Sequence, residues 1–149
     1  MQINTTRFGS VEIQPSDVLE FPLGLIGLEP WTKWVVLADG ENAGLGWLQS
    51  TERADLALAV VSPRRHVPDY KVRLSARDLV PLEAPQGVTP QVIVAMSASG
   101  GEGKGALSLN LKAPILVCLE TRRGRQVVAK DDHPVQYWLG GPAQLRRSA

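Results

Sequence analysis

Apolar and polar residues alternate along this chain in short runs, and turn-forming residues interrupt the runs at intervals of about 8–12 positions. Residues 1–6 and 11–14 flank the turn Arg7-Phe8-Gly9-Ser10, with Ile3, Val11 and Ile13 as the inward residues. Further strands are predicted over 18–21, 33–39, 45–50, 56–62, 70–74, 91–98 and 105–111. In the last of these Leu107, Leu109 and Leu111 face inward, and Ser108 and Asn110 face outward. Residues 113–120 read differently. Ile115, Val117 and Leu119 occupy one face while Leu116 and Cys118 occupy the other, so this strand is expected to be covered from both sides. The Ala113-Pro114 step that opens it marks a bulge or sheet switch, because proline has no N–H to give to a central ladder. Thr121-Arg122-Arg123-Gly124 then reads as a turn in which Gly124 takes a positive φ, and the chain returns as a strand over 125–130.

One helix is predicted, at 75–80. Ser75 can accept from the free backbone N–H groups of its first turn, Asp78 suits that end of the dipole, and Pro81 and Pro85 limit it to about two turns. About ten short strands and one short helix give a mainly β fold, a small antiparallel β-barrel or sandwich. Residues 1–140 read as one domain and 141–149 as a flexible tail.

Residues 21–31 break the alternation. Phe21-Pro22-Leu23-Gly24-Leu25-Ile26-Gly27-Leu28-Glu29-Pro30-Trp31 carries two prolines and two glycines, which exclude a helix or central strand, yet its other positions are mostly large and apolar. Such a loop either closes an open end of the core or offers an apolar patch to a partner.

Composition narrows the class. Charged residues make up 21% and hydrophobic residues 44% of the 149, which fits an ordered globular protein. No apolar run approaches the roughly 18 residues that span a bilayer. The polar, alternating residues 1–14 are unlike a secretory leader, so the cytoplasm is the expected compartment. The single cysteine, Cys118, lies mid-strand and is expected to be a buried, inert thiol. His66 and His133 have no second ligand at metal-site spacing, and Asp131-Asp132-His133 reads as a solvated turn. Gly101-Glu102-Gly103-Lys104-Gly105 is not a phosphate loop, since Gly105 stands where Ser or Thr is required; it reads as a hairpin tip. No catalytic, metal or cofactor constellation is legible, and a non-enzymatic binding role is expected. Charge is split along the chain: residues 1–62 carry three basic groups against eight acidic, and residues 63–149 carry thirteen basic against seven acidic.

Four segments together resemble the flagellar assembly factor FliW family. They are Thr6-Arg7-Phe8-Gly9, the run from Phe21 to Leu28, Trp47-Leu48-Gln49-Ser50, and Asn110-Leu111-Lys112-Ala113-Pro114-Ile115 with Arg123-Gly124-Arg125-Gln126-Val127. The similarity keeps this order over residues 3–138. It implies a small, mostly β-barrel-like, non-enzymatic cytoplasmic regulator that needs no cofactor. Such a protein binds flagellin before export and antagonises the translational regulator CsrA, so that flagellin synthesis follows export. An apolar loop beside a sheet suits an amphipathic helical partner. The candidate partner-binding residues are therefore Leu23, Leu25, Ile26 and Leu28 of the loop, and the outward groups Asn110, Lys112, Arg122, Arg123 and Gln126. The resemblance implies neither a membrane nor direct nucleic acid as partner. The alternative function is a small β-barrel that binds nucleic acid through Arg122, Arg123, Arg125 and the basic tail.

Overall fold

A computed structural model describes residues 1–98 and 106–139. The predicted hairpin tip at 99–105 and the tail at 141–149 lie outside the described residues. The described chain forms β1 (Gln2–Thr5), β2 (Gly9–Glu12), β3 (Leu19–Glu20), β4 (Lys33–Ala38), β5 (Leu45–Ser50), β6 (Ala57–Val61), helix α1 (Ala76–Leu79), β7 (Gln91–Ala98), β8 (Leu107–Leu109), β9 (Ile115–Cys118), β10 (Arg123–Gln126) and β11 (Tyr137–Trp138). The fold is mainly β and barrel- or sandwich-like, as the alternation predicts.

Its organising feature is a closed ring of hydrogen-bonded strands. β3, β4, β5, β6 and β7 pair in sequence, β7 pairs with β9, β9 with β10, and β10 returns to β3. Every pairing is antiparallel except β10 with β3, which is parallel. One edge of β7 serves two partners: Gln91–Ile93 face β9, and Met96–Ala98 face β8. The chain changes partner segment at the Ala113-Pro114 step, as predicted. Asn110 turns it there, its Oδ1 accepting from the backbone N–H of Lys112 and Ala113 at 3.2 and 3.1 Å.

Leu19, Trp34, Leu48, Val60, Ile115 and Val117, drawn from five strands of the ring, pack together with Phe21 and Leu25 of the apolar loop. Neighbours in sequence point the other way and are covered from outside. The β1–β2 hairpin brings Ile3 and Ile13 onto Val35 of β4. Leu79 of α1 and Leu82 in the turn after it cover Leu116 and Cys118 of β9. All four residues of β9 are buried, as the two-faced pattern of 113–120 implies, but the strand ends at Cys118 and Leu119 lies exposed in the turn that follows. α1 is capped as expected: Ser75 Oγ accepts from Asp78 N–H at 3.2 Å, and Asp78 Oδ2 accepts from Ser75 N–H at 2.9 Å.

Four further expectations change. Residues 70–74 form no strand and pair with none among the described residues. Ser108 is buried, because β11 lies along β8 and places Trp138 opposite it while Ser97 of β7 faces it from the other side. The predicted strand at 125–130 ends at Gln126. Beyond it Val127 N–H donates to Pro114 O and Ala129 N–H to Lys112 O, an irregular continuation of the hairpin past the proline. Finally, Gly124 is a strand residue of β10 opposite Val117, and the left-handed turn position belongs to Arg122, at φ 58°. Gly124 is glycine for space: a Cβ there would overlap the ring of Phe21. Gly124→Ala is expected to lower the free energy of unfolding by about 1–3 kcal/mol. Phe21→Leu in the same chain should recover part of that loss, so a double-mutant cycle in urea should be non-additive; additive losses would contradict the contact.

Candidate partner-binding surface

The apolar loop is folded into three consecutive turns. Gly24 N–H donates to Phe21 O, Leu28 N–H to Leu25 O and Trp31 N–H to Leu28 O, at 2.8, 2.8 and 3.1 Å. Part of its backbone is thus satisfied within the loop, and Phe21 and Ile26 N–H find partners outside it in Thr32 O and Gln126 Oε1. Gly27, third in the middle turn, has φ 83°, a conformation that a side chain rarely adopts. Gly27 N–H also donates to Glu29 Oε2 at 3.0 Å. That bond, followed by one from the residue's own backbone, holds the Glu29 carboxyl below the usual carboxylate range.

These turns sort the side chains in two directions. Phe21 and Leu25 enter the core, Leu25 being 1% exposed. Leu28 and Trp31 are half-buried against it. Leu23 and Ile26 point out, at 56% and 53% exposure. The loop is therefore both core cover and apolar surface, and Leu25 does not belong to the surface half.

Polar groups brace the loop at its middle and at its C-terminal end. Ile26 N–H donates to Gln126 Oε1 at 2.9 Å, and Gln126 Nε2 donates to Ala113 O at 3.0 Å. One side chain thus ties the loop to the kink between β8 and β9. At the C-terminal end Glu52 Oε1 accepts from Thr32 N–H and Lys33 N–H at 3.0 and 3.3 Å, and the Arg53 guanidinium lies 5.1 Å from the Trp31 ring. Gln49 gathers the turn that carries Glu52 and Arg53. It is fully buried, and its Nε2 lies 3.0–3.3 Å from the carbonyl oxygens of Ser50, Arg53, Ala54 and Leu56. Sequence reasoning singled out none of Gln49, Glu52 or Arg53 as support for the loop, although Gln49 stands in the Trp47-Leu48-Gln49-Ser50 motif.

The remaining candidates divide. Gln126 lies beside the loop, and Asn110 and Lys112 lie along the kink that Gln126 contacts. Asn110 is occupied by its own turn, while Lys112 Nζ donates to Asp131 O at 2.9 Å. Arg122 and Arg123 are at the far end of β10, about 10 Å along the strand from Gln126. Arg123 is 3.6 Å from Glu83, and Arg122 lies with Glu20 and Lys33 in a shallow depression. Arg125 Nη1 donates to Arg77 O at 2.6 Å. The arginine tip is therefore not an unopposed cationic surface. Among the described residues no group of three or more His, Cys, Asp or Glu could hold a metal ion, and no helix is long and apolar enough to cross a membrane.

With this geometry the chain can be set beside known proteins. The sequence profile of the FliW protein family matches residues 2–139. The chain belongs to the FliW family. The flagellar assembly factor FliW of Bdellovibrio bacteriovorus is 34% identical over 133 residues, covering 89% of this chain and 75% of that protein. That of an Exiguobacterium species is 34% identical over 143 residues, covering 95% and 96%. A crystal structure of a flagellar assembly factor FliW superposes with a TM-score of 0.81 over 92% of this chain and 95% of that one, at 22% identity, and shows the same fold. Two FliW-like segments quoted from the sequence thus meet in space: the run from Phe21 to Leu28 and the one carrying Gln126 are joined by the Ile26–Gln126 bond. Leu25→Ala is expected to cost about 2–5 kcal/mol of stability in urea denaturation. Ile26→Ala should stay within about 0.5 kcal/mol, and Gln126→Ala should deprotect the Ile26 amide in hydrogen exchange.

Proposed function

We propose that this chain is a non-enzymatic flagellar assembly factor that binds flagellin in the cytoplasm before export and antagonises CsrA, coupling flagellin synthesis to its export. The observation that carries the reading is the loop at 21–31, with Leu23 and Ile26 held in solvent on turns fixed by Phe21 and Leu25 below and Gln126 beside. Exposed apolar side chains on a rigid support suit the apolar face of an amphipathic helix, because little ordering entropy remains to be lost on binding. Membership of a family whose named relatives are flagellar assembly factors supports the same reading.

Antagonism needs only two competing affinities in one population of molecules, with no chemical step. CsrA meets RNA with a basic surface, and the acidic N-terminal portion offers Glu12, Asp17, Glu20 and Glu29 as complementary charge. Glu12, Asp17 and Glu29 are exposed, whereas Glu20 is half-buried and already faces Lys33 at 3.8 Å. The nucleic-acid alternative gains nothing from the arginine tip, where Arg123 faces Glu83 and Arg125 is bonded to backbone.

Purified chain and cognate flagellin, mixed at micromolar concentration, are expected to co-elute in size-exclusion chromatography. The double variant Leu23→Asp, Ile26→Asp should weaken the complex by about 30-fold or more, with unchanged circular dichroism and melting temperature. Failure of the unaltered chain to co-elute, or undiminished affinity in the variant, would overturn the reading.

A further inference from the structure

The charge asymmetry of the sequence survives folding at one place. A cleft of about 720 Å³ opens between the 3-10 turn at Pro63–Arg65, the segment 70–74 and the start of β7. Arg64, Lys71 and Arg73 line it together with the half-buried side chains of Val72, Val92 and Ile93, and no carboxylate is among its lining residues. Arg64 Nε is spent on Tyr70 O at 2.9 Å, and Arg73 Nε meets Asp131 at 3.1 Å from outside the lining, with 78% of the Arg73 side chain exposed. The Lys71 side chain is exposed and makes no hydrogen bond or ion pair with the described residues.

Three cations around an apolar floor select a ligand that is both acidic and apolar. A strand of nucleic acid would meet the cations but not the floor, and it would find no aromatic face to stack on. Tyr70 is buried, its hydroxyl donates to Leu111 O at 2.8 Å, and its ring lies against His133 with centroids 4.6 Å apart. A protein segment with carboxylates flanking apolar side chains satisfies both parts of the cleft.

The segment that presents these cations is held from behind. Asp131 Oδ1 accepts from Arg73 N–H at 3.0 Å, and His133 Nε2 lies 2.6 Å from Lys71 O. The same stretch of chain begins at Gln126, which holds Ile26. Cleft and loop are thus carried on one hydrogen-bonded support.

We infer that this cleft receives an acidic amphipathic segment of flagellin, carboxylates meeting Arg64, Lys71 and Arg73 while apolar side chains meet Val72, Val92 and Ile93. The inference rests on the reading that the chain binds flagellin. Lys71→Glu tests it without disturbing the fold, because the substituted side chain is solvent-facing and its backbone bond to His133 is retained. In titration calorimetry with cognate flagellin, Lys71→Glu should weaken binding about fivefold to tenfold at about 50 mM NaCl and by less than about twofold at about 500 mM NaCl. Leu23→Asp, Ile26→Asp should weaken binding at both salt concentrations. A complex whose affinity and salt dependence are the same in Lys71→Glu overturns the cleft and leaves the loop. Absence of any complex with the unaltered chain overturns both. Binding of a labelled oligouridylate that Lys71→Glu abolishes and flagellin does not displace would make the cleft a nucleic-acid site and overturn the inference as stated.

Discussion

The contact on which most of this structure depends is the Phe21 ring lying on Gly124. A ring of short strands has an interior that its own inward side chains fill incompletely, and close packing requires something to occupy the remainder. Here the chain supplies it from a loop. Phe21 comes from the residue after β3, reaches the one position of β10 that has no side chain, and joins Trp34, Leu48 and Ile115 in the core. The position of the loop follows from this. With Phe21 and Leu25 both committed to the interior, and reversals at Gly24 and Gly27, Leu23 and Ile26 have nowhere to go but outward. The apolar surface is a consequence of how the barrel-like ring is closed.

Polar side chains do the complementary work. Asn110, Gln126 and Gln49 stand in segments that mark the family, and each spends its side chain on backbone groups. Asn110 makes the turn that lets β8 and β9 share one edge of β7. Gln126 spans from that kink to the loop. Gln49 stabilises the turn from which Glu52 and Arg53 reach residues 31–33. A backbone carbonyl or N–H withdrawn from water must find a partner, and an irregular ring with a proline at its junction has more such groups than its ladders can satisfy. Amide side chains fill part of that deficit at three places where regular pairing stops.

Much of the fold was legible from alternation alone, and the two-faced run at 113–120 correctly located the most enclosed strand. The misreadings have physical causes. Gly124 in Arg-Arg-Gly-Arg looks like a turn residue, and nothing in a linear sequence separates a glycine needed for φ from one needed because a ring lies on it. The ring in question belongs to a residue 103 positions away. Residues 70–74 alternate as a strand would, yet alternation reports only which side faces the core; a ladder also needs a neighbour, and this segment is held by Asp131 and His133 instead. Alternation with Leu107 and Leu109 places Ser108 outward, but β11 lies along β8 and covers it. Of the site, the loop was visible because its composition contradicts its irregularity, but the division between buried Leu25 and exposed Ile26 was not, since adjacent turns reverse direction without leaving a periodic trace.

Charge shows why sequence totals mislead and where they do not. The acidic first part and basic second part look like a dipole, but β3 and β10 are neighbours, so Glu20 and Arg123 are paired in register and Arg122 lies beside both Glu20 and Lys33. Folding cancels the asymmetry there. At residues 64–73 it does not: no acidic residue lines the cleft, and among the described residues the one carboxylate that reaches Arg73, Asp131, does so from behind with its pKa lowered chiefly by the Arg73 backbone N–H. Burial meanwhile pushes the Tyr70 hydroxyl up to about 12, with Asp131 adding to the shift, so over the physiological range it remains a neutral donor to Leu111 O. Asp131 and Tyr70 therefore keep their charge states near neutral pH, and the attraction of the basic segment for an acidic partner depends on geometry and ionic strength.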